Sequence, residues 1–145
     1  MKKFFFLLIF FALSSCKKEN IEGIIIGKTL FENQSLSENK ELESIIKLTL
    51  KGDYNSLKKL NQFPCSASGC YDKGYILTQI IYKMGETKFI EMTSKLDQKE
   101  IYEIDGYIKV GLEYGDNNYD GKMDNKTSQN EFPTLMQKIN ILLNN

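Results

Sequence analysis

Apolar residues recur at helical spacing through most of the chain from residue 37 onward. The first stripe consists of residues that lie one, three or four positions apart and share one face of a helix: Leu42, Ile45, Ile46, Thr49 and Leu50. Ser35 or Ser37 can cap the start of this helix, and Gly52 marks its end because glycine suits the C-cap conformation. The pattern therefore predicts a helix between Ser37 and Gly52.

Five further helices follow from the same periodicity. Asp53 is the expected N-cap of the second helix, which ends by Phe63 because the residue before a proline avoids the helical conformation. The third helix ends at Gly85, the fifth ends at Gly115, and the sixth begins after Pro133. Their expected apolar faces are Tyr54, Leu57 and Leu60; Tyr75, Ile76, Ile80, Ile81 and Met84; Phe89, Ile90, Met92 and Leu96; Ile101, Ile104, Ile108 and Leu112; and Leu135, Ile139, Leu142 and Leu143.

Residues 17–23 are polar enough for a tether, and a short β-branched patch begins at Ile24. This patch, which runs to Phe31, fits either one strand or a segment packed on helices. The sequence predicts a mostly α fold, a small bundle or stack of helical hairpins with about six helices, and leaves open one short N-terminal strand. A single helical domain is expected over residues 37–145, preceded by an N-terminal tether over residues 16–36.

Helix-ending glycines recur at Gly52, Gly85 and Gly115, which are 33 and 30 residues apart. The first two are each followed by an acidic residue and by a short apolar-spaced helix. Over residues 41–115 this arrangement resembles ankyrin repeats, in which helical pairs recur and a concave face binds other proteins. The Thr-Pro-Leu-His start of an ankyrin unit is absent, so an irregular helical bundle is the alternative.

The composition limits the available chemistry. Nineteen lysines, with no arginine, balance nineteen acidic residues, so there is no basic field that would attract nucleic acid. The absence of histidine removes the commonest general base and the commonest metal ligand. Catalysis would have to rest on carboxylates such as Glu100, Glu103, Asp105 and Glu113, whose helical spacing also fits a solvated face opposite the apolar stripe of the fifth helix.

The first fifteen residues have the order of a bacterial export signal. Two lysines precede ten apolar residues from Phe4 to Leu13, a run about half as long as a membrane-spanning helix requires. Leu13-Ser14-Ser15-Cys16 resembles the bacterial lipobox, in which the cysteine is diacylated and becomes the first residue after cleavage. The resemblance implies a signal peptide over residues 1–15 and membrane lipid as the partner of Cys16. An ordinary secretory peptide followed by a chance cysteine is the alternative.

The residues after Cys16 bear on location. Lys17-Lys18-Glu19-Asn20 lacks the aspartate that holds lipoproteins of enteric bacteria at the inner membrane. Its mixture of lysine and acid loosely resembles the surface-export signals of Bacteroidetes lipoproteins. The resemblance favours a lipid anchor in the outer membrane over the inner membrane and leaves the face of that membrane open.

Cys65 and Cys70 flank a short turn between two predicted helices. Beyond the inner membrane such a pair is expected to be oxidised, and the disulfide would close a small loop. A zinc site would need two further ligands, and a redox pair more usually has the spacing Cys-x-x-Cys. We therefore predict a structural disulfide.

The stretch from Asp116 to Asp124 resembles the calcium loop of EF-hand and dockerin modules. Oxygen-bearing side chains lie at loop positions one, three, five and nine, glycine lies at six, and position seven offers a backbone carbonyl. The resemblance implies these calcium ligands: Asp116, Asn118, Asp120, Lys122 and Asp124. Position twelve is Thr127 where the family has a bidentate carboxylate, and no apolar stripe follows for an exiting helix. A solvated turn is the alternative, because Asp, Asn and Gly are also common turn formers.

Three functions are compatible with these features. The first is a non-catalytic protein-binding or immunity-type module held at the membrane, by analogy with short bacterial lipoproteins of this size and class. The second is a calcium-stabilised structural lipoprotein of the envelope, and the third is a carboxylate-based envelope enzyme. We expect the first, with a protein partner and no catalysis. Tyrosine-rich stretches at 71–82 and 102–119 supply either contacts to that partner or additional core.

Overall fold

The computed structural model describes residues 20–144, which form a mostly α fold with a two-stranded sheet at its N-terminal end. The elements in chain order are β1 (Asn20–Ile21), β2 (Ile24–Ile25), α1 (Lys28–Glu32), α2 (Leu36–Leu50), α3 (Tyr54–Gln62), α4 (Gly69–Met84), α5 (Glu86–Thr93), α6 (Gln98–Tyr114), α7 (Ser128–Glu131) and α8 (Pro133–Leu143). The predicted fold class is confirmed. The six predicted helices correspond to α2–α6 and α8, and the short helices α1 and α7 are additional.

Local capping chemistry sets where three of the eight described helices begin. Ser35 caps α2, and its side chain and that of Glu38 bond to each other's backbone N–H groups in a capping box. Asp53 caps α3 by accepting from the backbone of Asn55, as the sequence predicts. Asp97 and Glu100 form a second capping box at the start of α6. The starts of α2, α3 and α6 are therefore encoded by residues next to them in the sequence.

Ile24 and Ile25 of the N-terminal apolar patch form one strand of a β-hairpin, as the strand alternative expects, whereas Leu30 and Phe31 of the same patch lie in helix α1. Strands β1 and β2 are antiparallel, with Asn20 opposite Ile25. Glu22 and Gly23 make the turn with φ values of 51° and 87°. Positive φ at both central residues is the requirement of a two-residue hairpin turn whose twist matches that of the strands.

The structure differs from the predicted boundary of the domain at residue 37. Four apolar side chains of the preceding segment belong to the hydrophobic core: Ile21, Ile24, Ile26 and Leu30. Gln79 of α4 holds the hairpin through both amide atoms, because Ile25 N donates to Oε1 over 2.8 Å and Nε2 donates to Ile25 O over 2.9 Å. Asp72 of α4 accepts from Leu30 N at 2.8 Å. Residues 20–36 are therefore part of the folded body, since burial of the isoleucines outweighs the polar character of their surroundings.

Helices α4 and α6 form the centre of the body and approach each other closely. At their crossing Gly74 faces Gly111, and a Cβ atom built on Gly111 would lie 2.2 Å from the carbonyl oxygen of Gly74. Both helices bury long apolar stripes, which include Ile76, Ile80 and Ile104. The two glycines therefore permit a backbone contact that no other residue would allow.

The predicted end of the fourth helix is too late. Helix α5 ends at Thr93, and Leu96 is buried in the turn that follows, in which its N–H donates to Thr93 O. Leu96 thus meets the core from a turn, which apolar spacing alone does not distinguish from a helix.

Candidate functional site

The predicted lipidation site, Cys16, lies outside the described residues, so its acylation stays a prediction. The described body begins at Asn20, four positions later. Among residues 20–144 no helix is both long and apolar enough to cross a bilayer.

The predicted disulfide is confirmed. Cys65 and Cys70 are joined by an S–S bond of 2.11 Å, with their Cα atoms 5.1 Å apart. Cys65 follows Pro64 at the end of α3, and Cys70 lies in the first turn of α4. The bond therefore fixes the corner between these helices.

The loop at Asp116 leaves the C-terminal end of α6 and returns to it. The returning segment forms hydrogen bonds with that helix end: Asp124 N donates to Gly115 O at 3.1 Å, and Lys126 N donates to Leu112 O at 3.1 Å. Gly121 has φ of 85°, so glycine provides the sharp turn that the sequence predicts at this position. The loop thus provides hydrogen-bond donors for carbonyl groups at the C-terminal end of α6 that would otherwise lack partners.

Two contacts attach this loop to α4. Asn117 accepts from Thr78 Oγ1 at 2.7 Å and donates through Nδ2 to Gly111 O at 3.0 Å. The hydroxyl of Tyr75 donates to Asp116 O at 2.7 Å, and burial raises the pKa of this tyrosine. The base of the loop is therefore held firmly, while its tip, including Tyr119 and Asp120, is exposed.

The predicted calcium ligands lie in this one loop, but their carboxylates do not converge. Asp116 Oδ2 accepts from Gly121 N at 3.1 Å, and Asp120 Oδ1 accepts from Lys122 N at 2.9 Å. The Asp124 side chain is almost fully shielded from solvent, and Asp124 accepts from Asn117 N at 2.6 Å. Within residues 20–144 no three His, Cys, Asp or Glu side chains gather in a way that could hold a metal ion. The loop is therefore held by its own backbone donors.

One buried side-chain oxygen in this loop has no hydrogen-bond partner. Asp116 Oδ1 is buried and makes no hydrogen bond, although the other oxygen of the same carboxylate does. An unpaired buried carboxylate oxygen costs free energy that a cation or a donor would restore. Asp116 thus keeps free coordinating capacity inside the loop.

A polar groove of about 500 Å³ lies between α3, the start of α4 and α6, and the sequence analysis did not identify it. At its floor Lys73 is only 2% exposed. The ammonium group of Lys73 donates to Asn61 O and Phe63 O, each at 2.9 Å, and lies 4.0 Å from the centre of the Tyr107 ring. Burial lowers the pKa of Lys73 to about 8. Lys73 therefore caps the C-terminal end of α3 from another helix.

The walls of the groove are lined by paired charges. Lys58 lies 2.6 Å from Glu100, and this hydrogen bond raises the pKa of Lys58. Asn61 donates through Nδ2 to Glu103 at 2.8 Å. Burial, and then the nearby Glu103 carboxylate, raise the pKa of Tyr107. The groove is balanced in charge and its polar groups largely satisfy one another.

The candidate carboxylates of α6 do not all lie on a solvated face as expected. Glu100 is 6% exposed and Asp105 is 9% exposed, whereas Glu113 is open to solvent. Each buried acid has a lysine partner, because Asp105 pairs with Lys109 at 2.6 Å and Glu100 pairs with Lys58. Burial of these acids is compensated by pairing, so the expectation of full exposure is wrong for these two residues.

Several tyrosines are exposed, and the rings of two of them are in contact at a tilted angle. Tyr71 of α4 and Tyr114 of α6 have ring centroids 4.9 Å apart and planes inclined by 43°. Their exposed fractions are 46% and 45%. The pair lies on the two helices that cross at Gly74 and Gly111, and Tyr71 directly follows the disulfide-bonded Cys70 in the sequence. It is therefore an aromatic surface on a rigid base.

Comparisons of this chain with models of protein families, with characterised proteins and with solved structures find no match.

Proposed function

We propose that this protein is a lipoprotein of the cell envelope, anchored through Cys16 with the outer membrane favoured, that binds a protein partner without catalysing a reaction. The order of the export signal and of Leu13-Ser14-Ser15-Cys16 supports the anchor. The exposed Tyr71–Tyr114 pair is the observation that supports partner binding.

Tyrosine suits such a surface for a physical reason. Its ring provides a large contact area with only two rotatable side-chain angles, so little conformational entropy is lost on binding. The tilted ring contact between Tyr71 and Tyr114 restricts both side chains, which lowers this cost further. Tyrosines of this kind are enriched among residues that contribute most to interface affinity.

Site-specific photo-crosslinking in the native cell tests the partner surface. A photoreactive amino acid replaces Tyr71 in one variant and Tyr102, an exposed tyrosine earlier in α6, in a matched control. We expect one discrete adduct at position 71, its loss when Tyr114→Ala is added, and no such adduct at position 102. The same adducts at both positions would contradict a surface centred on the tyrosine pair.

The anchor is tested separately by cell fractionation. We expect the wild-type protein in the membrane fraction and a chain that begins at residue 17, exported by an ordinary secretory leader, in the soluble fraction, because one acylated cysteine carries enough methylene groups for stable anchoring. Mass spectrometry of the N-terminal peptide then shows whether the lipid is present. A wild-type protein in the membrane fraction without lipid on Cys16 would contradict the anchor.

A calcium-stabilised envelope lipoprotein is the second candidate. The buried, unpaired Asp116 Oδ1 and the sharp turn at Gly121 support it. Calcium binding requires Asp120 and Asn118 to exchange their present backbone and side-chain bonds for the metal, since hard cations take six to eight oxygen ligands.

Thermal melting of the soluble mature chain in chelator, in calcium and in magnesium tests this candidate. We expect the melting midpoint to rise with millimolar calcium alone, in the range of weak extracellular sites. The rise should disappear in Asp116→Asn with Asp120→Asn and persist in Glu91→Gln, which removes an exposed carboxylate of α5. A midpoint that does not respond to calcium would reject the site.

A further inference from the structure

The point at which the chain leaves the described body constrains how the protein lies on a membrane. Three residues separate Cys16 from Asn20. An extended chain spans at most about 3.6 Å per residue, so Asn20 lies within about 14 Å of an acylated Cys16. The headgroup region on one side of a bilayer is roughly 5 to 8 Å thick. If the anchor of the proposed function is present, the surface next to Asn20 is therefore close to the lipid headgroups.

The surface beside Asn20 is a groove of about 400 Å³, called here the anchor-side groove, lined in part by Gly23, Tyr82, Lys83, Asn117 and Tyr119. Asn20 is directly adjacent to it, because Asn20 Oδ1 accepts from Gly23 N at 2.8 Å. The groove joins three parts of the chain: the hairpin turn, the end of α4 and the loop at Asp116. The chain thus enters the body at the edge of this groove.

The exposed residues of the anchor-side groove are of the types that favour a membrane–water boundary. Tyr119 is 59% exposed, and Tyr82 and Lys83 are also open to solvent. Tyrosine and lysine combine an apolar stem or ring with a polar end, which can reach the headgroups while the rest contacts lipid. Lys83 donates to Glu22 O, and the bond from Thr78 to Asn117 holds the loop that carries Tyr119. These side chains are therefore presented on a fixed base.

We propose that the anchor-side groove is the membrane-facing surface of this protein and rests on phospholipid headgroups, with Tyr119 and Tyr82 at the boundary. This orientation rests on the acylation of Cys16 in the proposed function. The Tyr71–Tyr114 pair is not among the residues that line this groove.

Tryptophan fluorescence gives a direct test, because the chain contains no tryptophan. Tyr119→Trp places a single reporter in the anchor-side groove. Tyr102→Trp is the matched control, because Tyr102 is also exposed, at 68%. The loop that carries Tyr119 begins after Tyr114, the last residue of α6. Tyr102 lies twelve residues before Tyr114, which is roughly 18 Å along the helix axis. Each full-length protein is isolated from its envelope and reconstituted into vesicles of phosphatidylethanolamine and phosphatidylglycerol, with or without bromine-labelled acyl chains.

We expect bromine-labelled lipid to quench the fluorescence of Tyr119→Trp at least about twofold more than that of Tyr102→Trp, because only an aromatic ring at the boundary approaches the acyl chains. Equal quenching of the two variants, or quenching of the control alone, would overturn the orientation. A signal from Tyr119→Trp that changes with protein concentration and not with brominated lipid would assign the groove to a second copy and would also overturn it.

Mass spectrometry of the same samples separates the two proposals. An acylated Cys16 together with unquenched fluorescence in Tyr119→Trp rejects the orientation and leaves the anchor intact. A Cys16 without lipid rejects both. Selective quenching of Tyr119→Trp in acylated protein supports both.

Discussion

At the scale of single residues, Lys73 shows how a charge is held inside this protein. Two carbonyl groups at the end of α3 and the face of Tyr107 replace the water around its ammonium group. The replacement is incomplete, and burial lowers the pKa of Lys73 to about 8, against 10.5 in an exposed lysine. The stability of the folded state must therefore depend on pH through this residue.

We expect the free energy of unfolding to rise between about pH 8 and pH 10. In this range folded Lys73 loses its proton while unfolded Lys73 keeps it, so the unfolded state binds more protons and stability increases with pH. Above pH 10 the raised pKa values of Tyr75, Tyr82 and Tyr107 act in the opposite direction. Urea unfolding at pH 7.5, 8.5 and 9.5 measures the effect.

Lys73→Met should remove most of the rise, whereas Lys99→Met, which removes an exposed lysine at the rim of the same groove, should retain it. A wild-type protein whose stability is constant over this range would contradict the assignment. Stability that rises equally in both variants would place the effect on another group.

The sequence indicates that Lys73 lies on the buried side of its helix, but it does not indicate which groups pair with its charge. Lys73 occupies the position three and four residues before Ile76 and Leu77, so it lies on the apolar stripe of α4. A lysine on such a stripe is either at its edge or buried with partners. Its partners are backbone carbonyl groups at the end of α3, and because every residue has a carbonyl group, the sequence does not indicate which of them will accept from Lys73.

At the scale of elements, the prediction of helices succeeded where their ends depend on neighbouring residues. Ser35, Asp53 and Gly85 define ends by local capping, which the sequence displays directly. The hairpin at Glu22 and Gly23 and the short helices α1 and α7 lack the length for a periodic signal. The pairing of α4 with α6 is also not local, because Gly74 and Gly111 resemble ordinary weak helix positions until their contact is known.

The contact between these two helices gives a prediction with an internal control. Gly111→Ala should lower the free energy of unfolding by at least about 2 kcal/mol, because the new methyl group would meet the backbone of Gly74 and force the helices apart. Gly106→Ala in the same helix has no atom within 4 Å of the new Cβ and should raise stability by about 0.5 to 1 kcal/mol. Denaturant unfolding measures both.

Opposite signs in these two variants would show that the Gly74–Gly111 contact is tight. If Gly111→Ala were as stable as Gly106→Ala, the close crossing of α4 and α6 would be wrong. The Tyr71–Tyr114 surface would then lose its rigid base as well, because the two tyrosines are carried by these helices.

At the scale of the whole molecule, the N-terminal segment completes the core instead of serving only as a tether. Its isoleucines were visible in the sequence, yet a short β-branched patch beside a polar stretch does not indicate which surface will cover it. The structure supplies that surface from α4, through Gln79 against β2 and Asp72 against α1. Three residues, 17–19, separate this folded segment from Cys16, the proposed site of acylation.

A chain that begins at residue 37 should therefore fail to fold cooperatively, whereas a chain that begins at residue 17 should melt in one transition. The shorter chain lacks four core side chains, Ile21, Ile24, Ile26 and Leu30, and each large-to-small loss in a core costs about 2 to 5 kcal/mol. Their sum approaches the whole stability of a typical domain, about 5 to 15 kcal/mol. Circular dichroism during heating measures this, and a cooperative melt of residues 37–145 within a few degrees of the longer chain would show that the N-terminal segment packs on an already complete core.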